Sequence, residues 1–135
     1  MKPQVTFADP ERVLIDYLKP TAPGSATVSD AAPSTQLGTA RHIQVELDGT
    51  PGDDYPLTDR ATVRFTCYTG KGQRTAVKAL ASQVQALVYA HPGNADLAGT
   101  TPLVGRSGVI ADPDTQNLMV WFTFRVNLKP HPVAA

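Results

Sequence analysis

The sequence has little charge and no excess of either sign. Of its 135 residues 18% are charged, and twelve Lys and Arg balance twelve Asp and Glu. A nucleic-acid-binding module usually carries a basic excess or stripe, so this composition argues against one. Disorder is also disfavoured, because 41% of the residues are hydrophobic and the net charge is zero. With so little net charge, the chain meets little electrostatic resistance to self-association.

Cysteine and long apolar runs are scarce as well. The single cysteine, Cys67, excludes an internal disulfide and a multi-cysteine zinc site. No segment has the length of a membrane span, and the N-terminal MKPQVTFADPERV lacks a signal-peptide core. We therefore expect synthesis in the cytoplasm and no membrane partner. The length predicts a single domain over residues 1–135.

The first half of the sequence predicts one helix and a strand pair. DPERVLIDYLKP predicts a short helix that is capped by Asp9 and ended by Pro20. Residues 20–40 are rich in Pro, Ala, Ser and Thr, which predicts a loop, and ATVSD within it predicts a short edge strand. RHIQVELDG and DRATVRFTCYT alternate between apolar and polar residues, so they predict an antiparallel hairpin.

The second half repeats this order. GQRTAVKALASQVQALVYAHPG has apolar residues at helical spacing and predicts the longer helix. After a loop to about Thr101, LVGRSGVIADPDTQNLMVWFTFRVNL predicts a second hairpin, and residues 129–135 predict a flexible tail. Two amphipathic helices must cover the apolar face of the sheet. We therefore predict an α+β two-layer sandwich, with a mainly antiparallel sheet of four to five strands and two helices on one face.

The strand NLMVWFTFRVNL has apolar residues on both of its faces. Phe122 and Phe124 belong to a continuously apolar face, as a core strand requires, but Met119 and Trp121 begin the face that should meet water. One interpretation is that Met119 and Trp121 are simply exposed to solvent, because scattered exposed apolar residues are common. Trp and Met are also enriched in buried interfaces. We predict an oligomer interface, and we assign four residues to it: Tyr68, Met119, Trp121 and Arg125.

The acidic segment DGTPGDDY is the second candidate site. Its spacing does not fit a calcium-binding EF-hand loop, because no Glu closes it at the twelfth position. We interpret it as a hairpin tip that faces a neighbouring subunit or a lumen, where carboxylates would repel DNA phosphates. The residues assigned to this tip are Asp48, Asp53, Asp54 and Tyr55.

No catalytic, cofactor-binding or metal-binding residues are assigned. Cys67 shares a predicted strand face with apolar residues, which indicates an inert core thiol. The segment TGKGQRT is not a phosphate-binding P-loop, because Gly72 stands where that motif needs Ser or Thr. The three histidines lie in three different predicted elements. We therefore do not expect an enzyme.

The order of these elements resembles that of the tail terminator proteins of long-tailed (siphovirus-type) bacteriophages. The resemblance begins at DPERVLIDYLKP and is strongest over residues 41–89, where IQVELDG leads through a glycine-containing loop and Asp59 into ATVRFTCYT and RTAVKALASQVQALVYA. The closing hairpin with its aromatic last strand also fits. The long loop before Arg41 and the acidic GDDY tip depart from the pattern.

This resemblance implies a virion structural protein without cofactor or metal. It implies a ring, usually of six subunits, at the head-proximal end of the tail tube, which ends tube polymerisation and contributes to head–tail joining. The implied partners are further copies of the chain, the major tail tube protein and a head-completion or connector protein. DNA would pass through the lumen without specific binding. The implied location is the head–tail junction, after assembly in the host cytoplasm.

Three alternatives remain open from the sequence. One is another neck component, such as a head-completion or stopper protein. A second is a small α+β module that binds a ligand or peptide, and a third is a small hydrolase whose catalytic residues come together only in space. The mass and shape of the particle in solution distinguish a ring from the others.

Overall fold

The computed structural model describes residue 2 and residues 4–133. Two helices are present in this part of the chain, α1 (Pro10–Leu18) and α2 (Arg74–Tyr89). The strands are, in chain order, β1 (Val5–Thr6), β2 (Thr27–Ser29), β3 (Arg41–Gly49), β4 (Asp59–Thr69), β5 (Leu97–Val104), β6 (Ile110–Ala111), β7 (Leu118–Leu128) and β8 (His131–Pro132).

The main sheet has the strand order β2-β3-β4-β7-β5, and β6 also pairs with β7. Strand β2 runs parallel to β3, and the other neighbours are antiparallel. The predicted hairpin of β3 and β4 is present, and so is the predicted edge strand, which is β2. Both helices pack against the same face, α1 on β2, β3 and β4, and α2 on β4, β5 and β7. The predicted α+β sandwich is confirmed.

Helix α1 has the ends that the sequence predicts, whereas α2 ends at Tyr89, before the predicted last turn at His91. The Asp9 carboxylate accepts a hydrogen bond from the Glu11 N–H at 3.0 Å, and Pro10 occupies the first helical position, where the missing N–H costs nothing. Helix α1 ends at Leu18, shortly before Pro20, and continues only as a 3₁₀ turn.

The core lies between the helices and the sheet. Phe65 and Phe122 are stacked at 5.3 Å between ring centroids, and Phe124 meets both edge-on. All three are fully buried. Removal of each such side chain from water stabilises the folded protein by about 1.5–3 kcal/mol. The apolar face of NLMVWFTFRVNL therefore lies at the centre of the core.

The predicted loop to Thr101 is wrong. Residues 97–104 form β5, which pairs with β7 along most of its length. Of the predicted first arm of the second hairpin, Leu103 and Val104 belong to β5, and Ile110–Ala111 form β6. Thr and Val favour strands, and Pro102 is tolerated because β5 is an edge strand. The predicted turn is present, since the Asp112 N–H donates to the Asn117 carbonyl at 2.8 Å.

Part of the segment predicted as a flexible tail is paired with the N-terminal segment. Strand β8 pairs with β1, and the Val133 N–H donates to the Gln4 carbonyl at 2.9 Å. The His131 Nε2 also lies 2.8 Å from a carboxylate oxygen of Asp96. Residues 134 and 135 lie outside the described part.

The long loop before β3 is attached to the sheet at two places. The His42 ring lies 2.6 Å from the Thr27 hydroxyl and 2.7 Å from the Ala31 carbonyl, which holds β2 and the chain after it against β3. Further along, the buried Asn117 side chain accepts from the Leu37 N–H at 3.0 Å and donates to the Thr35 carbonyl at 2.9 Å. The loop is therefore anchored to the beginning of β7.

Candidate interaction surface on the outer sheet face

The sheet face opposite the helices carries the predicted interface residues. The antiparallel register of β4 and β7 places Trp121 opposite Thr66, Met119 opposite Tyr68 and Arg125 opposite Thr62. Directly opposed residues point to the same face of a sheet. The structure thus brings all four predicted interface residues onto the outer face.

Trp121 is half-buried and held by its neighbours. The Arg64 guanidinium lies 4.7 Å from the centre of the indole ring, within the range of a cation–π interaction. The backbone N–H of Trp121 donates to the Ser107 hydroxyl at 3.0 Å, and the backbone N–H of Ser107 donates to the Trp121 carbonyl at 2.8 Å. The Arg64 contact therefore touches the indole itself, whereas the two backbone hydrogen bonds tie β7 to Ser107, and part of Trp121 remains open to solvent.

Two exposed aliphatic residues extend this surface, and sequence reasoning missed both. Ile110 lies opposite Met119, and Val104 lies opposite Thr123. Both are exposed although they are large and apolar. We call Val104, Ile110, Met119 and Trp121 the outer-face patch. The signal in the sequence was the two apolar pairs on either side of GRSG, Leu103-Val104 and Val109-Ile110. The face of the sheet on which Val104 and Ile110 lie depends on β-pairing, which the sequence does not show.

Tyr68 is a correction to the predicted interface. It lies on the expected face but is only 5% exposed, and its hydroxyl donates to the Gln44 side chain at 2.9 Å. Burial, followed by the nearby carboxylates of Glu46 and Asp112, raises the pKa of Tyr68 to about 12. Tyr68 therefore supports the sheet face from within and contributes little area to it.

Arg125 lies at the other end of the outer face, next to one of the predicted tip residues. Arg125, Asp48 and Thr62 line a shallow cavity of about 410 Å³. The Asp48 carboxylate lies 3.5 Å from the Nε of Arg64. The Nε–H of Arg125 is buried without a hydrogen-bond partner among the described residues.

The acidic tip is exposed, but the predicted aspartates do not form one cluster. Asp53 and Asp54 both form ion pairs with Arg60, the second at 2.8 Å. Tyr55 is 58% exposed, and its ring lies 6.0 Å from that of Phe7. Asp48 instead faces Arg64, because it belongs to β3 and not to the turn. Within residues 2 and 4–133, no group of three or more His, Cys, Asp or Glu side chains is arranged to hold a metal ion.

The groups that suggested catalysis have structural positions. Cys67 is fully buried in the core, and this burial raises the pKa of its thiol well above the usual range. The His91 Nδ1 accepts from the Gly93 N–H at 2.9 Å, and the ring packs 4.3 Å from that of Tyr17. Burial lowers the pKa of His91. The segment TGKGQRT is a turn into α2, with Gly72 at a positive φ of 78°.

Comparison with solved structures shows a likeness of fold to a virion protein. No family model and no curated protein matches the sequence. Among solved structures, a chain in the virion of a native gene transfer agent (GTA) particle has a similar fold, with a TM-score of 0.53. The sequences are 19% identical, and the match covers 90% of this chain and 87% of that chain. Neither helix in the described part of the chain is long and apolar enough to cross a membrane.

Proposed function

We propose that this chain is a virion structural protein of a phage-type particle and has no catalytic role. The observation that carries the proposal is the likeness of fold to a chain of the gene transfer agent virion, which extends over nearly the whole of both chains. The outer-face patch supports it, because a contiguous apolar surface on a sheet is typical of a protein–protein contact.

Within that class, we propose a tail terminator. Copies would form a ring, expected to contain six subunits, on the head-proximal end of the tail tube. The ring would end tube polymerisation and present a surface to a head-completion or connector protein. The element order from α1 to β7 supports this assignment, since it is the order that the resemblance to tail terminators implies. We expect the outer-face patch, with Arg125 at its edge, to be covered by a neighbouring subunit or by the tail tube.

The test measures the mass and shape of the particle. Size-exclusion chromatography with light scattering, and negative-stain microscopy, should give a ring with about six times the 14.4 kDa subunit mass, alone or on purified tail tubes. Trp121→Glu should weaken this assembly by at least about tenfold, because it places a charge in an apolar contact. The matched control is Tyr89→Glu, which alters an exposed aromatic residue on α2.

Circular dichroism establishes that both variants remain folded. An unchanged ring in folded Trp121→Glu would remove the outer-face patch from the proposal. A wild-type chain that forms no ring, either alone or on tail tubes, would refute the terminator assignment itself.

A further inference from the structure

The net charge is zero, but acidic and basic residues are concentrated in different segments of the chain. Residues 46–59 contain five Asp or Glu and no Lys or Arg, whereas residues 60–95 contain five Lys or Arg and no Asp or Glu. The first segment includes the exposed turn between β3 and β4, and the second includes all of α2. The molecule therefore has an acidic turn and a basic helix in separate places.

The basic helix borders a groove. A cavity of about 550 Å³ lies between α2 and the loop of residues 105–109. Arg74 and Lys78 line it from the helix, and Arg106 lines it from the loop. Val109 and Val120 supply apolar lining, and no Asp or Glu is among the lining residues. Within the described part of the chain, none of the three cations forms an ion pair.

The positions of these cations do not favour the helix that carries them. The N-terminus of a helix is its positive end, where acidic residues are favourable and basic residues are not. Helix α2 nevertheless begins with Arg74, has no acidic residue in its first turn, and receives no side-chain cap from Gln73. Lys78 follows one turn later on the same side. Helix stability therefore does not account for these two cations.

The exposed turn between β3 and β4 has the matching properties. Residues 53–57 carry the carboxylates of Asp53 and Asp54, and they end with Leu57, which is 82% exposed. Arg60 pairs with both carboxylates within the chain, so the three side chains together keep one negative charge, and each carboxylate has a second oxygen that can meet a further cation. We call residues 53–57 the acidic turn. It is exposed, charged and partly apolar, whereas the groove is concave, cationic and partly apolar. A phosphate backbone would match the cations, but it would leave Leu57 and the valines of the groove without a role.

The acidic turn cannot reach the groove of its own chain. It lies at the beginning of β4, and α2 follows the end of β4. Val120 of the groove pairs with Cys67, eight positions beyond the start of β4, so about 26 Å of strand at roughly 3.3 Å per residue lies between the acidic turn and this part of the groove. The contact must therefore join two molecules through two different surfaces. A contact of this kind repeats from copy to copy and closes into a ring when the rotation allows it.

We propose that the acidic turn of one copy binds in the basic groove of the next copy. Asp53 and Asp54 face Arg74, Lys78 and Arg106, and Leu57 packs towards Val109 and Val120. This inference rests on the proposed ring function and specifies which surfaces of neighbouring subunits meet. It leaves the outer-face patch free for the contact described above.

Cysteine trapping tests the contact even if it is weak. Leu57→Cys and Lys78→Cys protein are mixed under mild oxidation, and the native Cys67 does not compete because it is fully buried. The mixed disulfide should form at least about fivefold faster than in the control mixture of Leu57→Cys with Lys19→Cys, and this excess should fall between about 50 mM and 500 mM NaCl. Equal rates in the two mixtures would overturn the proposal.

Charge reversal gives an independent measurement. Arg74→Glu with Lys78→Glu should reduce wild-type self-association by at least about tenfold, and so should Asp53→Lys with Asp54→Lys. Mixing the two double variants should restore it, because the opposite charges then meet again. Lys19→Glu, an exposed change of the same kind away from the groove, should have no effect. Circular dichroism establishes that each variant is folded.

Two results would refute the contact while leaving the ring in place. The first is an unchanged ring in the Arg74→Glu, Lys78→Glu variant. The second is a wild-type protein that binds a fluorescent DNA duplex through the groove, with the Arg74→Glu, Lys78→Glu variant losing the DNA but keeping wild-type self-association. Absence of any ring, with or without tail tubes, would instead refute the proposed function.

Discussion

Asn117→Ala tests how the long loop before β3 is held. Asn117 is fully buried, and its side chain makes two hydrogen bonds to backbone groups about 80 residues earlier in the chain, at Leu37 and Thr35. Alanine removes both bonds and leaves a small cavity. Since the loop is partly exposed, water can reach the freed backbone groups, so each bond contributes near the middle of the range of about 0.5–1.5 kcal/mol.

We therefore expect Asn117→Ala to lower the free energy of unfolding by about 2 kcal/mol. For a chain of this size, that change corresponds to a decrease in Tm of roughly 6–10 °C. Urea denaturation measures the free energy, and hydrogen exchange gives a local readout, because the Leu37 amide should lose its protection. Asn127→Ala is the matched control on the same strand, and it should change stability by less than about 0.5 kcal/mol.

A stability of Asn117→Ala within about 0.5 kcal/mol of wild type, together with unchanged exchange at Leu37, would refute this account. It would mean that the loop is held by contacts other than the Asn117 side chain. A loss of stability without faster exchange at Leu37 would show that the cavity, and not the hydrogen bonds, dominates.

Three further predictions concern buried positions. Gly70→Ala should destabilise the protein by about 1–3 kcal/mol, because a Cβ there would overlap the carbonyl of Gly38. Urea denaturation measures this loss, and an unchanged unfolding midpoint would contradict the prediction. His91 has a lowered pKa in the folded state, so the unfolded chain binds its proton more readily, and stability should fall as pH decreases below the ordinary value of about 6.5. This dependence should be smaller in His91→Gln, and an identical dependence in both proteins would exclude the histidine as its source. The buried Cys67 thiol should not react with a thiol reagent until urea unfolds the chain, so rapid reaction of the native protein would contradict its core position.

Some of the fold could be predicted because its signals are local. The cap of α1 depends on Asp9 and Pro10, which are adjacent to the helix, and the alternation in β3, β4 and β7 is visible within each strand. Strand β5 was missed because Gly99 and Pro102 weaken its pattern, and its partner strand is β7, whose pairing supplies most of its stability as a strand. The weak local signal of β5 is overridden by its pairing with a strand that begins fourteen residues after β5 ends.

The candidate site shows the same division. Alternation alone placed Met119, Trp121 and Arg125 on the outer face, and the register of β4 and β7 agrees with this placement. Alternation could not show that Tyr68, on the same face, is almost completely buried. The accessibility of a side chain depends on which residues pack over it. At Tyr68 these residues come from parts of the chain that are distant in sequence.

The sequence by itself determined the kinds of elements, their order and the apolar face of each, since these follow from the spacing of residues within a few positions of one another. It also determined that acidic and basic residues fall in separate segments. Only the tertiary structure decided that the basic residues of α2 meet Arg106 across a groove, and that Ile110 and Val104 join Trp121 on one surface. Both results depend on contacts between distant segments, and such contacts leave no periodic pattern in the sequence.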